Sequence, residues 1–341
     1  MRNDIPSSTG RTDSTVSPHH KEKANEGLRI LVLAPQPFFV QRGTPIAVRM
    51  LLQTLGEAGH DCDAIVLSGG EDVAISGVEV FRTAKIRGLS DIPPGFSSKK
   101  LLADIVMFPL VFWRLIRHRY DLIIAVEESA FMALALKPFF RVPYIYDIDS
   151  SIPEQLREKF GVPGWLERLL GFAERRAVRG SIGALPCCKA LAETVRSYDP
   201  ELPVQTLEDI TLIERTDQIS IPEECQFDKP VVMYIGNLEG YQGVDLLIDG
   251  FAQAVQAGAS ARLVVIGGTP ETIEAHRDIA RATGIADQVV FTGPRPVEQI
   301  GDYMASATIV VSPRRQGRNT PMKVFSYLDS GRPLVATRLY T

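Results

Sequence analysis

The 341-residue sequence is poor in the side chains that build metal and disulfide sites. It has four cysteines, Cys62, Cys187, Cys188 and Cys225, with no C-x-x-C pair and no metal-ligand spacing. Adjacent Cys187 and Cys188 are poorly placed to bridge one another, so reduced, buried thiols are the expectation. The five histidines are scattered, two of them in a polar stretch at His19 and His20, and neither a metal site nor a cofactor is expected. A net charge of -4 lacks the broad basic excess of a dedicated nucleic-acid binder. No apolar run reaches the roughly 20 residues that span a bilayer. Residues 1–27 hold no apolar core of a secretory signal and read as a disordered tail on a cytoplasmic protein. The first β-strand is not followed by G-x-G-x-x-G, so a plain dinucleotide-binding site loses support.

What the chain does have is a composition of 45% hydrophobic and 23% charged residues, enough for two globular domains. Its most informative stretch runs from Ser312 to Thr337. The β-branched run Thr308 to Val311 reads as a buried strand. It opens into a loop bearing Arg314, Arg315 and Arg318. Thr320 stands where an N-cap belongs and Pro321 where a first helical residue belongs, while Val324, Phe325 and Leu328 repeat along one helical face. Gly331 and Pro333 end that helix. Arg314, Arg315, Arg318 and Lys323 therefore crowd a helix N-terminus, where the dipole disfavours cations unless an anion joins them. Such a strand–loop–helix suits a phosphate or diphosphate. A merely solvated basic loop is the alternative.

The rest of the chain alternates strand and helix. Strands are expected at Arg29 to Ala34, Asp63 to Leu67, Val78 to Arg82, Leu122 to Val126 and Pro143 to Asp147, with a helix opening at Thr44-Pro45. A helix, or two broken near Pro109, is expected over 97–119; its apolar run Ile105 to Trp113 lies between Lys99, Lys100, Arg114, Arg117 and Arg119. Two readings stay open there: a buried helix with basic ends that snorkel, or peripheral contact with an anionic membrane surface. Glu127 and Glu128 end one strand where open α/β sheets place ligands. Asp149 and Ser151 precede a helix near Pro153, as site residues or as caps. Residues 207–230 read as a linker between a domain at 28–206 and one at 231–341. In the latter, strands at Val231 to Ile235, Arg262 to Ile266, Gln288 to Phe291, Thr308 to Val311 and Leu334 to Ala336 alternate with helices. The fold class is thus α/β, two Rossmann-like doubly wound domains facing a cleft.

The segment MASATIVVSPRRQGRNTPMKVFSYLDSGRPLVAT resembles the retaining family-4 glycosyltransferases of two-Rossmann-domain (GT-B) architecture, and the resemblance extends over nearly the whole chain from Leu28. That family often carries two glutamates eight positions apart that hold the donor sugar and ribose; the matching positions here are Arg318 and Ser326. Asn319 to Lys323 matches a subgroup with Asn-Thr-Pro-hydrophobic-Lys. GNLEGYQG resembles the family's first turn of the second domain, where two cations neutralise the leaving diphosphate; Asn237 and Gln242, after Gly236, stand in their places. The resemblance implies donor contacts at Gly236, Asn237, Gln242, Gly293, Arg314, Arg318, Asn319, Thr320, Lys323 and Ser326, and a cleft-facing loop at Gly43 and Thr44. DIDSSIPEQL resembles the segment facing the reacting sugar, with Asp149 in the acidic place; Asp149 and the strand-end Glu127 are the candidate catalytic residues of the acceptor side. It also implies a C-terminal segment after the point where this sequence stops, so a shortened second domain is expected.

The expected function is transfer of a sugar from a nucleotide-diphosphate sugar to a lipid-linked or saccharide acceptor with retention. A catalytically degenerate nucleotide-sugar-binding protein and a nucleotide-sugar epimerase are the alternatives.

Overall fold

The computed structural model describes residues 27–40, 43–85, 98–213 and 218–341. The expected disordered tail over 1–27 and the helix start at Ser97 therefore lie outside the described residues, Gly27 excepted.

Six strands form the first sheet: β1 (Arg29–Pro37), β2 (Asp61–Leu67), β3 (Val78–Arg82), β4 (Leu122–Val126), β5 (Tyr144–Ile148) and β6 (Gly183–Pro186). Their order is β3-β2-β1-β4-β5-β6 and every pairing is parallel. The cause is visible in β1, which is buried almost throughout. Ile30, Val32 and Ala34 pack on one face with Ile46, Val48 and Leu52 of α1 (Gly43–Glu57). Leu31 and Leu33 pack on the other with α2 (Ser98–Arg117), α3 (Ser129–Phe140), α5 (Gly164–Gly180) and α6 (Lys189–Tyr198). A strand covered on both faces needs no polar alternation, which is why it reads as a continuous apolar run.

The second sheet holds β7 (Val231–Ile235), β8 (Arg262–Ile266), β9 (Val289–Gly293), β10 (Ile309–Ser312) and β11 (Leu334–Ala336) in the order β11-β10-β7-β8-β9, again all parallel. α7 (Val244–Gln256) and α8 (Pro270–Ala282) cover one face. α9 (Ile300–Ser306) and Tyr327 of α10 (Met322–Asp329) cover the other. A Thr269–Thr272 capping box starts α8. In each sheet the strand order reverses beside the first strand, at β1/β4 and at β7/β10. Ligands of open α/β sheets settle in the crevice outside such a reversal.

Several local expectations are corrected. α3 and β6 were not anticipated. α2 does not break at Pro109; it runs through it, because Pro109 lies on the exposed side of the helix, where water can serve the Ile105 carbonyl that the proline leaves without a donor. Lys100 and Arg114 do not snorkel outward from α2 but are buried toward the sheet. Arg114 pairs with buried Asp63, which also accepts from Tyr120. Thr320 is not the cap of α10: Pro321 holds that position, with no side-chain cap bond, and the helix begins at Met322. Among the described residues no helix is long and apolar enough to cross a membrane.

Candidate functional site

The loops after β1, β4, β5 and β6 and those after β7, β8, β9 and β10 leave their sheets at the C-terminal ends, and direct contacts bring the two sets together. Arg318 pairs with Glu154 of α4 (Ile152–Phe160). The Cys188 thiol donates to the Arg318 carbonyl at 3.2 Å. Met322 and Val297 pack against the core that holds Phe38 and Ile46. The starts of α1 and α10 thus meet across one crevice.

On the first domain, Gly43 and Thr44 open α1. The Thr44 hydroxyl bonds to the Asp149 carboxyl, which joins two residues placed far apart in sequence. Burial, then the charge of Glu127, pushes Asp149 up to about 7, against the pull of Thr44. Glu127 sits at φ 49°, in the left-handed region that glutamate rarely adopts. Its carboxylate accepts from Gln36 Nε2 at 3.0 Å and from Lys100 Nζ at 2.8 Å. Burial opposes its ionisation, yet the charge of Lys100 and the bonds from Lys100, Gln36 and Ser150 outweigh that and lower its pKa. Asp209, from the linker, adds its charge to Asp149 and is itself raised to about 6 by burial. Gln36, Lys100 and Asp209 were not anticipated as site residues. Ser151 occupies the N-cap position of α4, but its hydroxyl donates instead to buried Glu174 at 2.9 Å.

On the second domain the four cations separate into distinct roles. Arg314 is buried and folds its own loop, donating to the Gln316 carbonyl at 2.6 Å, the Asn319 carbonyl at 3.1 Å and Asn319 Oδ1 at 2.7 Å. Arg315 pairs with Asp245 at 3.0 Å. Arg318 faces Glu154. Lys323 is different. Its ammonium lies 4.0 Å from the centre of the Tyr234 ring and donates to Tyr234 Oη at 2.9 Å and Gln242 Oε1 at 3.1 Å, both neutral. None of the ion pairs among the described residues includes it. Burial, then the charge of Arg314, lowers its pKa well below the usual lysine value. A half-buried cation left among neutral partners is poorly compensated until an anion arrives.

The turn after β7 is shaped around that ammonium. A Cβ on Gly236 would lie 2.4 Å from Lys323 Nζ, and one on Gly267 would lie 2.1 Å from the Gly236 carbonyl oxygen. Both glycines have positive φ, so only glycine permits this stacking of turns. Gly293 closes the row by accepting from the Gly267 N–H at 2.8 Å. Asn237 folds the turn, donating to Tyr241 Oη at 3.2 Å and accepting from the Glu239 N–H at 3.3 Å. Gln242 is buried against Lys323, so it orients a cation where the resemblance suggested one. Ser326 is buried and accepts from the Leu212 N–H at 2.9 Å, tying α10 to the linker. The Thr320 N–H bonds to Cys188. Arg315, Gln316, Gly317 and Arg318 also line an open cavity of about 480 Å³ with Leu339 and Tyr340. Among the described residues no group of three or more His, Cys, Asp or Glu side chains is set to hold a metal ion.

Residues 42–204 match the family described as "Glycosyl transferase 4-like domain", and residues 229–340 match "Glycosyl transferases group 1". The alpha-D-kanosaminyltransferase of Streptomyces kanamyceticus is 24% identical over 223 residues, 61% of this chain and 56% of that protein. The GDP-mannose-dependent alpha-(1-6)-phosphatidylinositol monomannoside mannosyltransferase of Mycolicibacterium smegmatis is 30% identical over 117 residues, 33% of this chain and 30% of that one. The chain thus spans about half or less of the length of these curated relatives. Among solved structures, sucrose-phosphate synthase from Thermosynechococcus elongatus superposes with a TM-score of 0.72 at 16% identity, over 92% of this chain and 82% of that one. That likeness is one of fold. With the two family matches following one another across both sheets, the chain belongs to the two-domain glycosyltransferases, a 4-like domain followed by a group 1 domain.

Proposed function

We propose that this protein transfers a sugar from a nucleotide-diphosphate sugar, held by the second domain, to a saccharide or lipid-linked acceptor held by the first, with retention of anomeric configuration. The observation that carries it is Lys323: a half-buried ammonium with neutral partners, beside a glycine turn and the start of α10, across the crevice from Thr44, Glu127 and Asp149. The donor's diphosphate supplies the missing anion. As the bond from the sugar's anomeric carbon to the phosphate oxygen breaks, Lys323, the field of Arg314 and the helix start stabilise the charge that develops on the diphosphate, without a metal ion. The acceptor hydroxyl oxygen bonds to the anomeric carbon, and its proton leaves with the diphosphate. Thr44 and Asp149 orient the acceptor. Incubating the protein with nucleotide sugars and candidate acceptors tests this: acceptor-dependent release of a nucleoside diphosphate is expected. Binding without turnover favours instead a degenerate nucleotide-sugar-binding protein, a reading supported by Arg318 and Ser326, which make internal contacts where the family often carries glutamates.

A lipid-linked acceptor also requires a membrane-facing surface. α2 exposes Leu101, Ile105, Phe112, Trp113 and Ile116, and α5, on the same side of the sheet, exposes Trp165, Leu169 and Phe172. Lys99, Arg117, Arg168, Arg175 and Arg179 are exposed on the same two helices, on a chain whose net charge is -4. This layer fits peripheral contact with an anionic lipid surface. Co-sedimentation with anionic vesicles that weakens as salt rises supports it; no pelleting at low salt refutes it.

A further inference from the structure

Helix α2 sends its first turn into the acceptor side of the crevice. Lys100 Nζ lies 2.8 Å from Glu127 Oε2 and 2.8 Å from Glu128 Oε1. A cation in a first turn works against the helix dipole, and burial works against it again. The two carboxylates are what make the position tolerable. Glu127, for its part, holds a left-handed backbone conformation that is strained for a non-glycine residue. It does so at the end of β4, next to the strand-order reversal, with its carboxylate fixed from α2 by Lys100, from β1 by Gln36 and from the loop after β5 by Ser150. A strained backbone and a carboxylate fixed from three elements are the marks of a positioned functional group.

We propose that Lys100 is the positioning residue of the acceptor side: its ammonium fixes the Glu127 carboxylate beside Asp149 and so sets the charge that the acceptor meets. This rests on the transferase reading of the crevice. The charged and titratable groups around Glu127 are Lys100 and Asp104 on α2, Glu128 after β4, Tyr146 and Asp147 on β5 and Asp149 after it, with Asp209 of the linker acting on Asp147 and Asp149. Burial, then the charge of a neighbouring glutamate, lifts Asp104 to about 8 and Glu128 to about 7. Glu127 alone among the carboxyls of this cluster whose pKa is shifted moves downward, and Lys100 is the cation beside it. Without Lys100 it would join the others.

The test compares Lys100→Met and Lys100→Arg with the wild type in two ways. Carboxyl carbon NMR on protein labelled in its glutamates, with Glu127→Gln for assignment, reads the Glu127 titration midpoint with no reference to turnover. In Lys100→Met the midpoint is expected to move up by about one pH unit or more, and Lys100→Arg is expected to restore it. In the transfer reaction Lys100→Met is expected to lower kcat and shift the acid limb of its pH profile upward, with donor KM unchanged, since the donor lies on the other domain. An unmoved midpoint overturns the proposal. So does a loss that raises donor KM in step with the fall in kcat, which a general loosening of the fold would give. If no transfer is found with any substrate, the transferase reading fails while the NMR result stands by itself. Should Lys100→Met not fold, Glu128→Gln serves in its place: it leaves Lys100 to Glu127 alone, and the midpoint is expected to fall; a rise or no change overturns the proposal.

Discussion

Replacing Lys323 by Met keeps a long unbranched side chain and removes only the charge. In the free protein the change deletes donor bonds of 2.9 Å to Tyr234 Oη and 3.1 Å to Gln242 Oε1. It also relieves a cation that burial and Arg314 already disfavour. These effects oppose one another, because exchanging a poorly compensated, half-buried charge for an apolar group is often neutral. Thermal stability should therefore change little. In the complex a charge-assisted bond to a diphosphate is worth about 1.5–3 kcal/mol, so affinity should fall roughly 10- to 150-fold. Calorimetric titration with nucleoside diphosphate and with free nucleoside separates the phosphate term, and only the diphosphate should weaken. The pH dependence gives a second reading. An anion raises the lysine pKa, so above its free-state value binding takes up a proton; wild-type affinity should weaken as pH rises, and the variant should lose that dependence. Equal losses for nucleoside and diphosphate, or an unchanged pH dependence, refute a phosphate role for Lys323.

Gly236→Ala places a methyl 2.4 Å from Lys323 Nζ and 3.0 Å from Tyr234 Oη at φ 150°; diphosphate binding measured by the same calorimetry should fall by roughly tenfold or more, on top of about 1–3 kcal/mol of backbone strain. Arg114→Ala leaves the buried Asp63 carboxylate only the Tyr120 hydroxyl and the more distant Arg29 guanidinium at 3.8 Å and should cost about 3 kcal/mol in urea unfolding, the low end for breaking a buried pair, much of it recovered by adding Asp63→Asn. Asp149 rises from 3.8 unfolded to about 7 folded, so its contribution to stability is full below pH 3.8 and is lost as pH climbs toward 7. Asp149→Asn should remove that slope, making the variant gain on the wild type between about pH 4 and pH 7; parallel stability curves would contradict it.

Both sheets were legible because strands buried on two faces become short apolar runs between turn residues, and the parallel order followed from their alternation with helices. α3 escaped because SAFMALALKPFF is apolar on nearly every side and carries Pro138 inside, so no 3.6-residue period stands out. β6 escaped because four residues, GALP, give too short a pattern. At the site, Thr44, Glu127, Asp149 and Lys323 each stood out through a loop, a strand end or a motif. The pairings did not. Thr44 meets Asp149, Lys100 meets Glu127 and Arg318 meets Glu154 only because strand order brings distant loops to one crevice. Lys100 read as the basic flank of an apolar helix, since nothing local marks a lysine that turns inward. Arg314 and Lys323 looked equivalent in sequence, and their separation into a loop brace and an ammonium held by neutral partners depends on which oxygens the folded loops present.

On the proposed reading, one crevice binds a nucleotide-diphosphate sugar and passes its sugar on with retention. The most direct measurement offers the chain a panel of UDP, GDP, ADP and dTDP sugars with saccharide and lipid-linked acceptors, following nucleoside diphosphate release and the anomeric configuration of the product by NMR. Release that depends on acceptor, a product with the donor's anomeric configuration, and loss of both in Lys323→Met are expected. An inverted product, or turnover that Lys323→Met leaves intact, would contradict it.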